Sequence, residues 1–200
     1  MEHNITDYVG LSISRQERPT NKDESITQYE IIENLYNYMW DRLYDDCLEL
    51  TITFKENALN TYSHEYIHKD LQKWVNKYSP AFRTILFKDY SKTGRLHYHG
   101  IIKPINKGLE QLDTWRRATA RRYGRLELKP INSRKYYLVY MLKIYINQLE
   151  LTPQHIVSND PKINNNNQMF VDNYAYNEYT WQQICDMYDE QKNKQEWKQN

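Results

Sequence analysis

Two strand-like runs, Phe82–Tyr90 and residues 95–103, are separated by Ser91-Lys92-Thr93-Gly94, and this hairpin constrains the chain more than any other segment. Both runs favour extended structure, and Gly94 supplies the positive φ that a tight reversal needs. A three-residue loop with Gly94 in the left-handed region sets Ser91 opposite Arg95, and hence Asp89 opposite His97. Side chains alternate along a strand, so Asp89, His97 and His99 then share one face and Tyr98 takes the other. Two imidazoles one pleat apart, with a carboxylate across the hairpin, chelate one divalent cation and leave positions open for substrate oxygens.

Around the hairpin, apolar periodicity places the other elements. Ile31, Ile32, Leu35, Tyr36, Met39, Trp40 and Leu43 predict a helix over residues 27–45, and Leu48–Phe54 (LELTITF) alternates as a strand. Ser63 starts a helix with Ile67, Leu71, Trp74, Val75 and Tyr78 on its apolar stripe, and Pro80 ends it. A helix over 109–123, a short strand over 125–131 and a helix over 133–149 follow, with Gly124 as punctuation. The order α-β-α-β-β-α-β-α predicts an α+β fold: a ferredoxin-like antiparallel sheet with helices on one face, plus N- and C-terminal helical extensions. The expected units are residues 1–46 (an arm over 1–25 and a helix), 47–150 (the domain with the chemistry) and 151–200. The last unit reads as a loop with Pro153, Pro161 and the run Asn164-Asn165-Asn166-Asn167, then a helix over 177–192 and a polar tail.

A second candidate constellation lies in the helix over 133–149, where Tyr140 and Lys143 are neighbours at i,i+3. A phenol is a poor nucleophile at neutral pH, and an adjacent ammonium favours its phenolate and pairs with a phosphate. Tyr136 sits one turn before Tyr140, whereas Tyr137 falls off that face and is assigned to the core. His64 and His68 also have a spacing that can bind zinc, but with no third ligand nearby they read as surface residues.

Net charge bears on the substrate. The chain has 27 Lys+Arg and 26 Asp+Glu, a formal +1 that argues against a strongly basic nucleic-acid binder. The charges are unevenly placed, however. Residues 83–143 hold 15 Lys+Arg against four Asp+Glu, a net +11, and the rest of the chain is −10. A cationic segment around the two constellations suits a single DNA strand. The candidate DNA contacts are Arg83, Lys88, Arg95, Arg116, Arg117, Arg121, Arg122 and Lys135. The Arg116-Arg117 and Arg121-Arg122 pairs form the strongest phosphate-contacting feature, with an ordinary solvated helix face as the alternative reading.

Other features exclude function classes. No GxxxxGK[ST] loop is present, so no ATP site is expected. No apolar stretch approaches bilayer length, and Met1-Glu2-His3-Asn4 does not open a secretory signal. Cys47 and Cys185 make no disulfide framework and read as reduced thiols. An intracellular protein, in the nucleus or cytoplasm of a host cell, is expected.

Taken in order, the LTITF strand, Asp89, His97-Tyr98-His99 and Tyr140-Met141-Leu142-Lys143 resemble the motifs of the HUH endonucleases, and more narrowly the rolling-circle replication initiators (Rep proteins) of single-stranded DNA viruses and plasmids. The resemblance covers roughly residues 48–149. It departs from the family pattern in having Asp as the acidic ligand, a helix before the first strand, and no helicase domain. The resemblance implies that Asp89, His97 and His99 hold Mn²⁺ or Mg²⁺ and that Tyr140 nicks single-stranded origin DNA, in a stem-loop. The product is a 5′-phosphotyrosine link and a free 3′-OH, and the reverse step rejoins strands. Lys143 would stabilise the phenolate or orient the phosphate. The Tyr136/Tyr140 spacing also looks like that of two-tyrosine members, which makes Tyr136 a possible second nucleophile or a packing residue. A separate helicase and a host polymerase are the implied partners. A single-tyrosine transposase or a relaxase shares this chemistry, and a non-catalytic ferredoxin-like nucleic-acid reader is the alternative of another class.

Overall fold

The computed structural model describes residues 28–42, 47–91, 93–105, 108–148, 150–161, 163 and 178–196. The arm expected over 1–25, the end of the helix expected to reach 45, Lys92, Lys107, the run Asn164 to Asn167 and the last four residues lie outside the described residues.

Alternating strands and amphipathic helices give a β-α-β-β-α-β unit. It runs through β1 (Leu48–Phe54), α2 (Glu56–Thr61), α3 (His64–Lys77), β2 (Phe82–Tyr90), β3 (Leu96–Pro104), α4 (Gly108–Arg122) and β4 (Gly124–Pro130). Before it comes α1 (Gln28–Arg42), and after it α5 (Arg134–Gln148), β5 (Ile156–Ser158) and α6 (Trp181–Glu196). The sheet order is β4-β1-β3-β2-β5 with every pairing antiparallel, so its first four strands have the expected ferredoxin-like arrangement. The fifth, β5, pairs Ile156, Val157 and Ser158 with Phe87, Leu86 and Ile85 in a segment that reads as loop in the sequence. Three residues beside Pro153 are too few for a visible alternation. The short α2, between two strongly patterned elements, is likewise unmarked in the sequence.

The helices cover both faces of the sheet, which corrects the expectation that they lie on one face. Leu50, Ile52, Phe54, Leu86, Tyr98 and Ile102 pack with Ile67, Leu71 and Val75 of α3 and Leu112 and Trp115 of α4. On the other face, Ile85, Phe87, Ile101 and Ile156 pack with α1, α5 and α6. The central strands β2 and β3 are apolar on both faces, so a single helix layer would leave one of them wet. Helix α5 is apolar around most of its circumference, with Leu138, Val139, Met141, Leu142, Tyr145 and Ile146 buried, because it lies among the sheet, α1 and α6. Polar contacts fix those neighbours. Glu33 of α1 accepts from the backbone N–H of Trp181 at the start of α6 (2.9 Å), and Asn37 exchanges hydrogen bonds with the backbone of Tyr179 (2.8 and 2.9 Å).

The hairpin has the register the sequence predicts. Gly94 has φ +74°, Ser91 and Arg95 are joined by a backbone hydrogen bond of 2.9 Å, and Asp89 pairs with His97. Gly100, one residue past His99, is needed for close approach: a Cβ there would lie 2.0 Å from the carbonyl oxygen of Ile85.

Candidate metal and tyrosine site

Strand parity builds the first half of the site. Asp89 on β2 and His97 on β3 are direct partners, and His99 lies opposite Phe87 on the same face. The Nε2 atoms of His97 and His99 stand 3.2 and 3.7 Å from Asp89 Oδ2, and the possible ligand atoms of all three residues lie within 4.8 Å of one another. The outer nitrogens are already engaged. His97 Nδ1 donates to the carbonyl of Arg95 (3.1 Å), and His99 Nδ1 lies 3.0 Å from the hydroxyl of Thr51 on β1. A neutral His97 therefore carries its proton on Nδ1 and turns the lone pair of Nε2 toward Asp89. Two nitrogen acceptors and a carboxylate oxygen converging on one point are a donor set that fits a divalent metal ion, because a cation relieves the repulsion among their lone pairs.

Helix α5 brings the second half. The hydroxyl of Tyr140 lies 3.1 Å from His99 Nε2, and the two rings meet edge to face with centroids 4.9 Å apart. Lys143 Nζ reaches Asp89 Oδ2 at 3.1 Å and lies 4.2 Å from the centroid of the Tyr140 ring. Two further tyrosines hold α5 against the strands: Tyr137 donates to the carbonyl of Gly100 (2.7 Å) and Tyr145 to that of Lys88 (2.5 Å). They lie three residues before and five after Tyr140, so the helix is tied to the sheet on both sides of it.

The electrostatics follow from this packing. Burial alone would raise the carboxyl of Asp89, but the hydrogen bond with His97 and the ammonium of Lys143 outweigh it and hold the group at about 2. Burial, helped by the nearby His97 and Lys143, lowers His99 to about 4, so its ring is neutral at pH 7. Burial also raises Tyr140, and Lys143 opposes that shift without cancelling it. The sequence-based expectation that Lys143 favours phenolate therefore describes one contribution. In the absence of a metal ion the phenol stays protonated at neutral pH.

Asp89, His97, His99, Tyr140 and Lys143 thus come together, and Tyr136 does not join them. Its ring lies 4.9 Å from Lys194 Nζ of α6 and 5.5 Å from Lys135 Nζ. Tyr137, assigned to the core by periodicity, is the residue whose ring lies beside Tyr140, with centroids 6.3 Å apart. Residues three and four before Tyr140 flank it on opposite sides of the helix, and period alone does not say which side meets the sheet. Thr51 and Tyr137 are the site-forming residues that motif reading missed. Thr51 could have been found from the alternation of LTITF, which puts it opposite His99.

The basic residues divide. On α4, Arg116 and Arg117 both pair with Asp113, and Leu112 and Trp115 dock that helix on the face opposite the triad, so this cluster does not border the triad. Arg122, on the same helix, pairs with Asp70, and Arg121 beside it is exposed. Lys88 also points away from the triad and lies 5.5 Å from the Tyr90 ring. Arg83 donates to the carbonyl of Ser79, Arg95 is exposed beside the hairpin turn, and Lys135 lies by Tyr136. On the triad's own face, β1 and β4 carry Glu49, Thr51 and Thr53 opposite Lys129, Glu127 and Arg125. His64 and His68 do not share a ligand: their Nδ1 atoms lie 3.5 Å from the Tyr90 hydroxyl and 3.0 Å from the Tyr98 hydroxyl, respectively. Among the described residues, no helix is long and apolar enough to cross a membrane.

Residues 47–145 match a family model described as replication-associated protein, of the ORF2 type. No curated protein and no solved structure matches the chain. The segment that holds the triad, Tyr140 and Lys143 thus belongs to this family of replication-associated proteins.

Proposed function

We propose that the chain is a metal-dependent nuclease of the HUH type that nicks and rejoins single-stranded DNA to initiate replication. The observation that carries this reading is the hydroxyl of Tyr140 held 3.1 Å from His99 Nε2, at the mouth of the Asp89–His97–His99 cluster. A divalent ion in the cluster, Mn²⁺ or Mg²⁺, would draw charge from a non-bridging oxygen of the scissile phosphate. Asp89, His97 and His99 hold and orient the ligand atoms, and Thr51 and the Arg95 carbonyl fix the two rings. Tyr140 gives up its phenolic proton to solvent and forms a bond from its oxygen to phosphorus. The bond from phosphorus to the 3′ oxygen breaks, and that oxygen takes up a proton. The 5′ phosphate stays on Tyr140, and the free 3′-OH is available to a polymerase. The reverse step, by the 3′-OH of another strand, rejoins DNA without ATP. The ammonium of Lys143, beside both Asp89 and the Tyr140 ring, offsets charge that develops on the phenolic oxygen.

The polar strip on β1 and β4 supports a path for the strand across the triad's face, with Arg125 and Lys129 as phosphate partners. Both pair with Glu127, so DNA would have to displace that carboxylate. An origin stem-loop as substrate, and a separate helicase and polymerase as partners, complete the proposal. The test incubates the full chain with single-stranded stem-loop DNA and Mn²⁺ and runs a denaturing gel. A slower protein band, abolished by chelation, supports nicking. The same DNA bound equally well in EDTA with no such band supports a non-catalytic reader instead.

A further inference from the structure

A second assembly lies on the sheet face opposite the triad, where β1 leaves the sheet. The rings of Tyr62 and Tyr66 are stacked, with centroids 5.1 Å and planes 12° apart. The guanidinium of Arg122 lies 5.7, 6.0 and 5.1 Å from the ring centroids of Tyr62, Tyr66 and Tyr123, and it donates to the Tyr66 hydroxyl over 2.8 Å. Asp70 holds the group from beneath: its Oδ2 is 3.7 Å from Arg122 and accepts from the Tyr123 hydroxyl. The Tyr123 ring is buried edge-on against Phe54, which roots the assembly in the core.

Tyr66 nevertheless keeps 44% of its surface exposed. A rigid exposed ring beside a guanidinium is the surface on which an unpaired base stacks, since every base has a π face and its phosphate needs a nearby cation. Further cations are at hand: Arg121 is exposed, and Lys55 is anchored through its Nζ to the Arg121 carbonyl (2.9 Å). The assembly is also within reach of the triad. Thr53 pairs with His97, and Lys55, about 7 Å further along the chain, donates its backbone N–H to Tyr123. A strand leaving the triad at this end of the sheet turns over the edge onto Tyr66.

We propose that Tyr62, Tyr66 and Arg122 form a stacking site for an unpaired base of single-stranded DNA, separate from the triad. The choice of DNA as the strand rests on the function proposed above, but the site needs neither metal nor Tyr140. The test measures fluorescence anisotropy of the full chain with an oligothymidine of about 15 nucleotides, and with an abasic strand of the same length, both in EDTA. Tyr66→Ala is expected to weaken binding of the thymidine strand by about tenfold while leaving thermal melting and abasic-strand binding unchanged. Tyr66→Trp is expected to keep the affinity, with its added indole emission quenched by the oligonucleotide. A folded Tyr66→Ala chain that binds like the wild type, an equal loss for the abasic strand, or an indole emission unmoved by DNA each overturns the proposal. Stacking without any covalent product would contradict the nicking reading and leave this site standing.

Discussion

The phenolic oxygen of Tyr140 lies 3.1 Å from Nε2 of His99, the nitrogen that faces Asp89. The candidate nucleophile and a candidate metal ligand are therefore in direct contact, with Lys143 bridging the Tyr140 ring and Asp89 from the next turn of α5. Tyr140→Phe removes only the hydroxyl, so the variant should titrate Mn²⁺ within about twofold of the wild type while its covalent band falls by roughly a thousandfold. Calorimetry and a denaturing gel measure the two effects separately. Loss of both together would mean that Tyr140 serves the metal site alone.

Thr51 acts through His99. With its hydroxyl 3.0 Å from Nδ1, it holds the ring so that Nε2 points into the cluster. Thr51→Val keeps the shape of the side chain and removes the oxygen. Mn²⁺ affinity by calorimetry should drop by about tenfold, with the melting temperature little changed. Unaltered affinity would show that packing alone orients the ring.

The hydroxyls of Tyr137 and Tyr145 tie α5 to β3 and β2. Tyr137→Phe and Tyr145→Phe should each cost about 1 kcal/mol and lower the melting temperature by about 2–4 °C. The double variant should also form the covalent product more slowly, because Tyr140 lies between the two ties. A double variant that melts earlier but reacts at the wild-type rate would separate stability from positioning.

His68, under α3, is held neutral to about pH 4, first by burial and then by the nearby Lys88 and His155. The unfolded chain takes up this proton near pH 6.5 and the folded chain only near 4. Folding stability therefore falls as pH drops through that window and is unaffected above it. Between pH 7 and 5 the loss from this residue is on the order of 1–2 kcal/mol. His68→Gln, which still offers the Tyr98 hydroxyl a partner, should flatten the curve of melting temperature against pH when measured in EDTA. Parallel curves for the two proteins would contradict the assignment.

How much of this the sequence reveals depends on the periodicity behind each inference. The clustering of Asp89, His97 and His99 is legible because strand alternation has two outcomes and Gly94 selects the register. Tyr140 and Lys143 are legible as helix neighbours, but Tyr136 and Tyr137 are not separable, since only the position of α6 decides which of them turns to the sheet. The charge count finds the basic segment without finding its sides: Arg116 and Arg117 lie across the sheet from the triad, whereas Arg125 and Lys129 share its face. The three residues of β5 and the one and a half turns of α2 form through tertiary packing and leave little pattern in the sequence.

The central claim is that Tyr140 becomes joined to DNA. Its most direct test is peptide mapping by mass spectrometry of the product formed with stem-loop DNA and Mn²⁺, after nuclease digestion to a residual nucleotide. The account predicts a phosphonucleotide on the peptide that contains Tyr140, localised to that residue and absent when EDTA is present. The same adduct on Tyr136, or a nicked strand with no protein attached, would contradict it.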